Sequence, residues 1–102
     1  MIYKFRSKST GDVIMMGPHA DQMLHVLGRE PAAQGIIDVE AMPEALARLK
    51  AAVEADDAAR AAAEESDDVP MPEGIALRRR LWPMIQMIEA SLAEGHPVVW
   101  GV

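Results

Sequence analysis

Residues 75–94 read IALRRRLWPMIQMIEASLAE and carry the pattern on which the fold depends. Five of their apolar side chains recur at helical spacing and share one face, namely Leu77, Leu81, Ile85, Ile88 and Leu92. Met84 lies close beside this face, and Trp82 and Met87 widen it at its two edges. The pattern predicts the most buried helix of the chain.

Proline and glycine shape the middle and the end of that helix. Pro83 lies inside it and has no N–H to donate to the carbonyl of Arg79, so we expect a kink or a break near Trp82. Gly95 suits the C-cap position, and Pro97 prevents the helix from continuing. The helix is therefore expected to end at about residue 94.

Upstream, residues 54–68 read EADDAARAAAEESDD and separate this helix from the rest of the apolar sequence. Seven of these residues are acidic and Arg60 is the only base, which gives the segment a formal charge of −6. It contains no apolar side chain larger than Ala, and Pro70 and Pro72 follow it. We therefore expect a solvent-exposed acidic spacer at about residues 54–74. Its Ala content favours a helix that either projects into water or frays before Ser66.

The N-terminal residues alternate in polarity, as a half-buried strand does. Tyr3 and Phe5 share one side, and the charged residues Lys4, Arg6 and Lys8 share the other. Residues 9–12 are turn formers and residues 13–16 resemble a second strand, which predicts a hairpin with a four-residue loop. Residues 98–100 predict a terminal strand that pairs with this hairpin, because an isolated two-stranded ribbon is marginal in water.

Two further amphipathic helices are predicted between the hairpin and the acidic spacer. The first lies between Gly17-Pro18 and Gly28, and its apolar residues are Ala20, Met23, Leu24 and Leu27. The second begins near Pro43, and its apolar stripe is Met42, Leu46, Leu49 and Val53. Ile36 and Ile37, between the two helices, either tuck inward or add a brief strand.

These elements predict a single α+β domain over residues 1–102. A small, three-stranded, mostly antiparallel sheet, built from the N-terminal hairpin and the C-terminal strand, is packed on one side by about three helices. Half of the residues are hydrophobic and 25% are charged, as in globular domains. The chain has no Cys, and its longest run of large apolar residues, 13–16, is too short to cross a bilayer. We therefore expect a cytoplasmic protein without a membrane segment.

Short motifs spread over nearly the whole chain resemble those of one family. The motifs are Tyr3-Lys4-Phe5 with Ser7-Lys8, Gly11-Asp12-Val13-Ile14-Met15, Gly28 with Glu30-Pro31, Gln34-Gly35-Ile36, Met42-Pro43, Leu77-Arg78 with Arg80, Trp82-Pro83, and Val99-Trp100-Gly101-Val102. Together they resemble the uncharacterised, mainly proteobacterial family catalogued as domain of unknown function 1840. The resemblance implies a bacterial cytoplasmic setting and one domain, and it carries over no catalytic residue. Ile75-Ala76 stands where the family pattern has a Val-Ser pair that could cap the third helix.

The residue types that form metal and catalytic sites are not arranged for either purpose. His19 and His25 lie six residues apart, about 240° around a helix, and so face away from each other. Asp21 and His25 fit a surface ion pair at i, i+4, and His96 fits a cation near a helix C-terminus. No serine lies in a nucleophile elbow, and the glycines form neither a P-loop nor a dinucleotide fingerprint. We therefore predict no metal and no cofactor, and these patterns argue against an enzyme.

Carboxylates of the acidic spacer occur in pairs such as Asp56-Asp57. Paired carboxylates can serve as acid–base groups when burial shifts their pKa values. Nothing apolar surrounds these pairs in the sequence. We therefore expect them to stay solvated and to keep ordinary pKa values.

Two groups of exposed basic residues are the candidate sites for a partner or an anion. One group is Arg78, Arg79 and Arg80 with the neighbouring Trp82, because three consecutive helical residues cannot all face the core. The other is Lys4, Arg6 and Lys8 on the outer face of the first strand. Each group also has an interpretation in which its charges serve the fold and bind no ligand. The arginines can pair with Glu73, Glu89 or the acidic spacer, and charges on an edge strand discourage aggregation.

Three functional hypotheses follow from these residues. The first is a non-enzymatic protein-interaction module that could form a homodimer. The second is a binder of nucleic acid or another polyanion that uses both basic groups, although the net charge of −6 opposes it. The third is a small-molecule binder with a pocket between Trp82, Trp100 and His96.

Overall fold

The computed structural model describes the whole chain, residues 1–102, as three helices on one face of a four-stranded sheet. The strands are β1 (Ile2–Arg6), β2 (Val13–Met16), β3 (Gly35–Ile37) and β4 (Val98–Trp100). The helices are α1 (Gly17–Val26), α2 (Met42–Glu65) and α3 (Leu77–Glu94), and a 3-10 turn spans Val39–Ala41. Neighbouring strands are antiparallel in the order β2-β1-β4-β3. The predicted α+β class is confirmed.

The sheet has four strands, whereas the sequence analysis predicts three. The fourth strand is β3, so Ile36 and Ile37 add a brief strand, the second of the two alternatives left open above. Ile37 is buried beneath the helices, and Gly35 lies directly against the indole ring of Trp100. A side chain at position 35 would overlap that ring, so a glycine is needed for β3 to pair with β4.

β1 is an interior strand of this sheet. It pairs with β2 on one side and with β4 on the other. The interpretation of its charged residues as protection of an edge strand is therefore wrong, because β1 has a neighbour on each side: β2 along residues 2–5 and β4 at Phe5 and Arg6. Their exposure has another origin: they project from the sheet face that carries no helix.

One continuous core of 17 buried residues lies between the sheet and the helices. The alternation predicted for β1 is confirmed, since Tyr3 and Phe5 are buried and their strand neighbours are exposed. α3 contributes more of this core than any other element, through Leu81, Met84, Ile85, Met87 and Ile88. Trp82 does not join them as predicted. It is 46% exposed because it follows Leu81 by about 100° of helix rotation and faces outward.

A kink or a break is predicted near Trp82, and the break is absent because α3 continues through Pro83. Buried Leu81 and Met84 lie on either side of Pro83 and anchor both parts of the helix in the core. The helix ends as predicted. Gly95 adopts a left-handed conformation with φ 76°, and its N–H and that of the following residue bond to carbonyls of the last turn.

α2 extends to Glu65 and so includes most of the acidic segment. Its packed stripe ends at Val53, and no residue from 54 to 74 is buried. The next two turns of α2 are held by Asp56 and Asp57, which contact the start of α3, and by Arg60, which contacts Gly74 in the connection before it. None of the helices is both long enough and apolar enough to cross a bilayer.

Candidate functional site on the open face of the sheet

The face of the sheet opposite the helices carries large apolar side chains and no covering element. We call this surface the open face; its residues are Ile2, Lys4, Arg6, Ile14, Met16, Ile36 and Val99. Ile2, Ile14 and Met16 are 63–69% exposed, and Ile36 is 42% exposed. A solvated face of an antiparallel sheet is normally polar, so exposed residues of this kind indicate a docking surface.

Two basic residues occupy the centre of the open face. Lys4 Nζ and Arg6 Nε each lie 3.8 Å from the same oxygen, Asp12 Oδ2. All three side chains are about half exposed, so these ion pairs are weak and screened by water. Lys8, in the adjoining hairpin loop, makes no ion pair or hydrogen bond. The open face therefore has an excess of positive charge between its apolar flanks.

The hairpin loop spans residues 7–12, two more than predicted, and it is tied to the end of α3. The buried Ser91 hydroxyl donates to the Met87 carbonyl at 2.6 Å. Because that hydroxyl has one hydrogen, Ser7 must be the donor in the 2.6 Å bond between the two serine oxygens. Ser7 Oγ in turn accepts the N–H of Ser9, and Ser9 Oγ lies 2.9 Å from His96 Nδ1. These bonds give the loop a defined position.

The pocket predicted between Trp82, Trp100 and His96 is not formed. Trp100 is buried against Phe5, with ring centroids 5.4 Å apart, and its indole N–H donates to the Ala32 carbonyl at 2.9 Å. Trp82 lines a groove between α2 and α3, and His96 lines a separate cleft beside the hairpin loop. The three residues therefore do not share a binding site.

The basic residues at the start of α3 lie in the helical layer, on the opposite side of the sheet from Lys4 and Arg6. Arg78 Nη2 pairs with Asp57 Oδ2 at 2.7 Å, and Arg80 Nη1 donates to Gln22 Oε1 at 2.7 Å. The Arg79 side chain makes no hydrogen bond or ion pair. The fold thus keeps the two basic groups apart and leaves Arg79 as the unpaired member of the second.

Asp56 has a structural role that the sequence pattern does not indicate. Its Oδ2 accepts the backbone N–H of Leu77 at 2.8 Å and the Nε–H of Arg60 at 2.9 Å. The Leu77 hydrogen bond, followed by that from Arg60, lowers the pKa of Asp56 below its ordinary value of 3.8. The prediction that these carboxylates keep ordinary pKa values is therefore wrong for Asp56. The one sequence feature that points to such a role is Ala76, which stands at the N-cap of α3 and has no side-chain group that could accept a hydrogen bond from the helix.

Asp21 also has a partner other than the predicted one. Tyr3 donates its hydroxyl to Asp21 Oδ1 at 2.9 Å, and the expected ion pair between Asp21 and His25 is not formed. Burial of the Tyr3 ring and this hydrogen bond raise the pKa of Tyr3 above 10.0. No three His, Asp or Glu side chains are close enough to hold a metal ion.

Comparison with known proteins gives one match. No curated protein and no solved structure matches the chain. The sequence model of one family matches residues 1–100, which include the open face, the hairpin loop and His96. The chain therefore belongs to the family described as Domain of unknown function (DUF1840).

Proposed function

We propose that this protein is a non-enzymatic interaction module that binds another protein through the open face. The observation that carries the proposal is the uncovered group of Ile2, Ile14 and Met16, each more than 60% exposed. Single exposed apolar residues are common on protein surfaces, but neighbouring ones on a regular sheet face mark contact surfaces. The register places Ile2 opposite Met16 and Ile14 opposite Lys4, so these side chains are contiguous.

The charges on the open face define the chemistry of the partner. Lys4 and Arg6 share the Asp12 carboxylate at 3.8 Å, which leaves one positive charge without a close counterion. A partner with apolar side chains around an Asp or Glu would bury the isoleucines and complete this pairing. We therefore propose an acidic, partly apolar protein segment as the ligand of the open face.

A second copy of the chain is a weaker candidate for the same surface. In a two-fold dimer the same patch meets itself, which would bring Lys4 and Arg6 of one copy towards those of the other. Like charges at an interface oppose association. We therefore favour a different protein over a homodimer formed through the open face.

Polyanion binding is the competing function. Its support is that two basic side chains, Lys8 and Arg79, have no hydrogen bond or ion pair within the protein and are available to a phosphate; every other Lys and Arg side chain has a partner. Nucleic acid would contact only one of the two basic groups at a time, and the net charge of −6 lowers its affinity. The exposed isoleucines have no role in such a complex. These arguments support the protein ligand.

We also propose that the module acts in the bacterial cytoplasm. The absence of Cys fits a reducing compartment, in which disulfides do not form. The family resemblance described above supports a bacterial source. Expression of a fluorescent fusion in a bacterial host, followed by fractionation, tests the location.

The proposal is tested by affinity capture from native bacterial extract, with and without nuclease. Ile14→Lys places a charge on the open face, whereas Ile75→Lys makes the same change at a loop residue of similar exposure, 61% against 63%. We expect a nuclease-resistant protein that is retained by the wild type and by Ile75→Lys and is lost with Ile14→Lys. Loss of the captured material after nuclease treatment would favour polyanion binding.

Light scattering of the purified protein at micromolar concentration separates the two protein ligands. A monomer is expected for both the wild type and Ile14→Lys. A wild-type dimer that Ile14→Lys converts to a monomer would show that a second copy occupies the open face.

A further inference from the structure

A cleft of about 460 Å³ opens between the hairpin loop and the turn that joins α3 to β4. Its volume falls within the range of small-molecule sites, roughly 300–1,000 Å³. Arg6 and Lys8 provide two cationic groups on its wall, and Asp12 is the only carboxylate there. Pro97 and Val99 supply apolar surface, and Val99 lies directly beside Arg6 in the sheet. The cleft therefore combines apolar and cationic groups.

Hydrogen bonds hold both walls of the cleft in place. The Ser7–Ser91 bond at 2.6 Å and the Ser9–His96 bond at 2.9 Å join the loop to the end of α3. The turn itself is closed by the bond from the His96 N–H to the Ser91 carbonyl at 2.9 Å. A site whose walls are already ordered loses little conformational entropy when it binds a ligand.

The charges of the cleft favour a ligand with a single negative charge. Arg6 lies 3.8 Å from Asp12, whereas Lys8 has no partner, so the three charged groups that line the cleft carry a formal charge of +1. Lys4 does not line the cleft, but it lies 3.8 Å from the same Asp12 oxygen. A monoanion neutralises the charge of the lining groups, whereas the second charge of a dianion would have to draw Lys4 away from Asp12. His96 uses Nδ1 in its contact with Ser9, which leaves Nε2 without a hydrogen bond and free for the ligand.

We propose that this cleft binds a small monocarboxylate with an apolar or aromatic body. The carboxylate is bound by Lys8 with support from Arg6, and the body packs on Pro97 and Val99. This site shares Arg6 and Val99 with the margin of the open face, but it takes a second, small ligand and needs no partner protein. It also differs from the pocket predicted from the sequence, because neither tryptophan contributes to it.

The proposal is tested by an NMR titration of the ¹⁵N-labelled full chain with benzoate, in parallel with the neutral analogue benzamide. We expect saturable shifts for the amides of residues 7–12 and His96 with benzoate and none with benzamide. Lys8→Gln is expected to weaken benzoate binding by about tenfold, since a charge-assisted bond is lost. Lys8 makes no contact that folding requires, so this variant should keep the wild-type melting temperature.

Arg79→Gln is the matched control, because Arg79 is the other unpaired cation and lies outside the cleft. It should leave the affinity for benzoate unchanged. Equal shifts with benzamide, an unchanged affinity in Lys8→Gln, or tighter binding of phenyl phosphate than of benzoate would each overturn the proposal. Ile14→Lys should keep benzoate binding while losing the protein partner, so failure of one proposal is distinguished from failure of the other.

Discussion

Asp56 Oδ2 accepts the backbone N–H of Leu77 at 2.8 Å, so a carboxylate of the acidic segment caps the helix that contributes most of the core. The first N–H groups of a helix lack intrahelical acceptors, and Ala76 at the N-cap offers no side-chain acceptor. Arg60 donates to the same carboxylate and to the Gly74 carbonyl, which links α2 to the connection before α3. Part of the acidic segment therefore positions α3.

Removal of this cap should destabilise the protein. Asp56→Ala leaves the Leu77 N–H without its acceptor and Arg60 without its ion pair, so we expect a loss of about 1–2 kcal/mol in the free energy of unfolding. Urea denaturation measures this change. Asp67→Ala is the control, because Asp67 is exposed and makes no contact with α3. Equal effects of the two substitutions would show that Asp56 does not act as a cap.

The same carboxylate should make stability depend on pH in acid. The pKa of Asp56 is lower in the folded protein than its ordinary value of 3.8, so the unfolded chain binds the proton more readily. The contribution of Asp56 is therefore fully present above pH 3.8 and is lost as the pH falls through the folded-state pKa. We expect the difference in unfolding free energy between wild type and Asp56→Asn to shrink across this acid range. A difference that is constant in acid would contradict the hydrogen-bond assignment.

Tyr3 should titrate above its ordinary range. Burial and the hydrogen bond to Asp21 disfavour the phenolate, and Tyr3 is the only tyrosine, so ultraviolet difference spectroscopy reports it alone. The neutral Tyr3 hydroxyl therefore stabilises the folded protein below pH 10.0, and this contribution is lost as the pH rises through the raised pKa of Tyr3. Asp21→Asn should bring the pKa closer to 10.0 without restoring it fully, because burial is the larger cause. A wild-type midpoint of 10.0 or below would contradict the buried position of the ring.

A side chain at position 35 should destabilise the protein, because Gly35 lies directly against the indole ring of Trp100. A Cβ at residue 35 would overlap the indole ring, so Gly35→Ala must displace either β3 or Trp100. We expect a loss of about 1–3 kcal/mol, as for other overpacked cores. Thermal unfolding and the near-ultraviolet circular dichroism of the buried indole measure it. Gly11→Ala, where a Cβ meets nothing within 4 Å, is the control and should leave both signals unchanged.

Much of the fold was predictable because its signals are local. The alternation around Tyr3 and Phe5, the apolar face of α3 and its end at Gly95 are all properties of a few consecutive residues. Helix and strand periodicities determine which side chains share a face before any tertiary contact exists. The same reasoning placed Lys4 and Arg6 on the solvent side of β1, which is where they lie.

The candidate site was predicted only in part. The sequence predicts Lys4 and Arg6 as exposed bases but does not predict the exposure of Ile14, Met16 and Ile36, because a strand sequence does not say which face of a sheet the helices will cover. Residues 13–16 are all apolar and so carry no alternation that separates buried Met15 from exposed Ile14. The pairing of β2 with β1 decides which of them is buried, because Met15 lies opposite Tyr3 and Ile14 lies opposite Lys4.

Local spacing was enough to predict the three helices, the first hairpin and the alternation of β1, since these depend on residues within about ten positions of one another. The interior position of β1, the pairing of β3 with β4 and the contact of Asp56 with Leu77 depend instead on the folded arrangement of the whole chain. Strand order and the cap of α3 join residues that are distant in the chain, Asp56 and Leu77 by 21 positions. Such contacts arise from the collapse of the shared core, which brings together groups whose own sequences contain no information about each other.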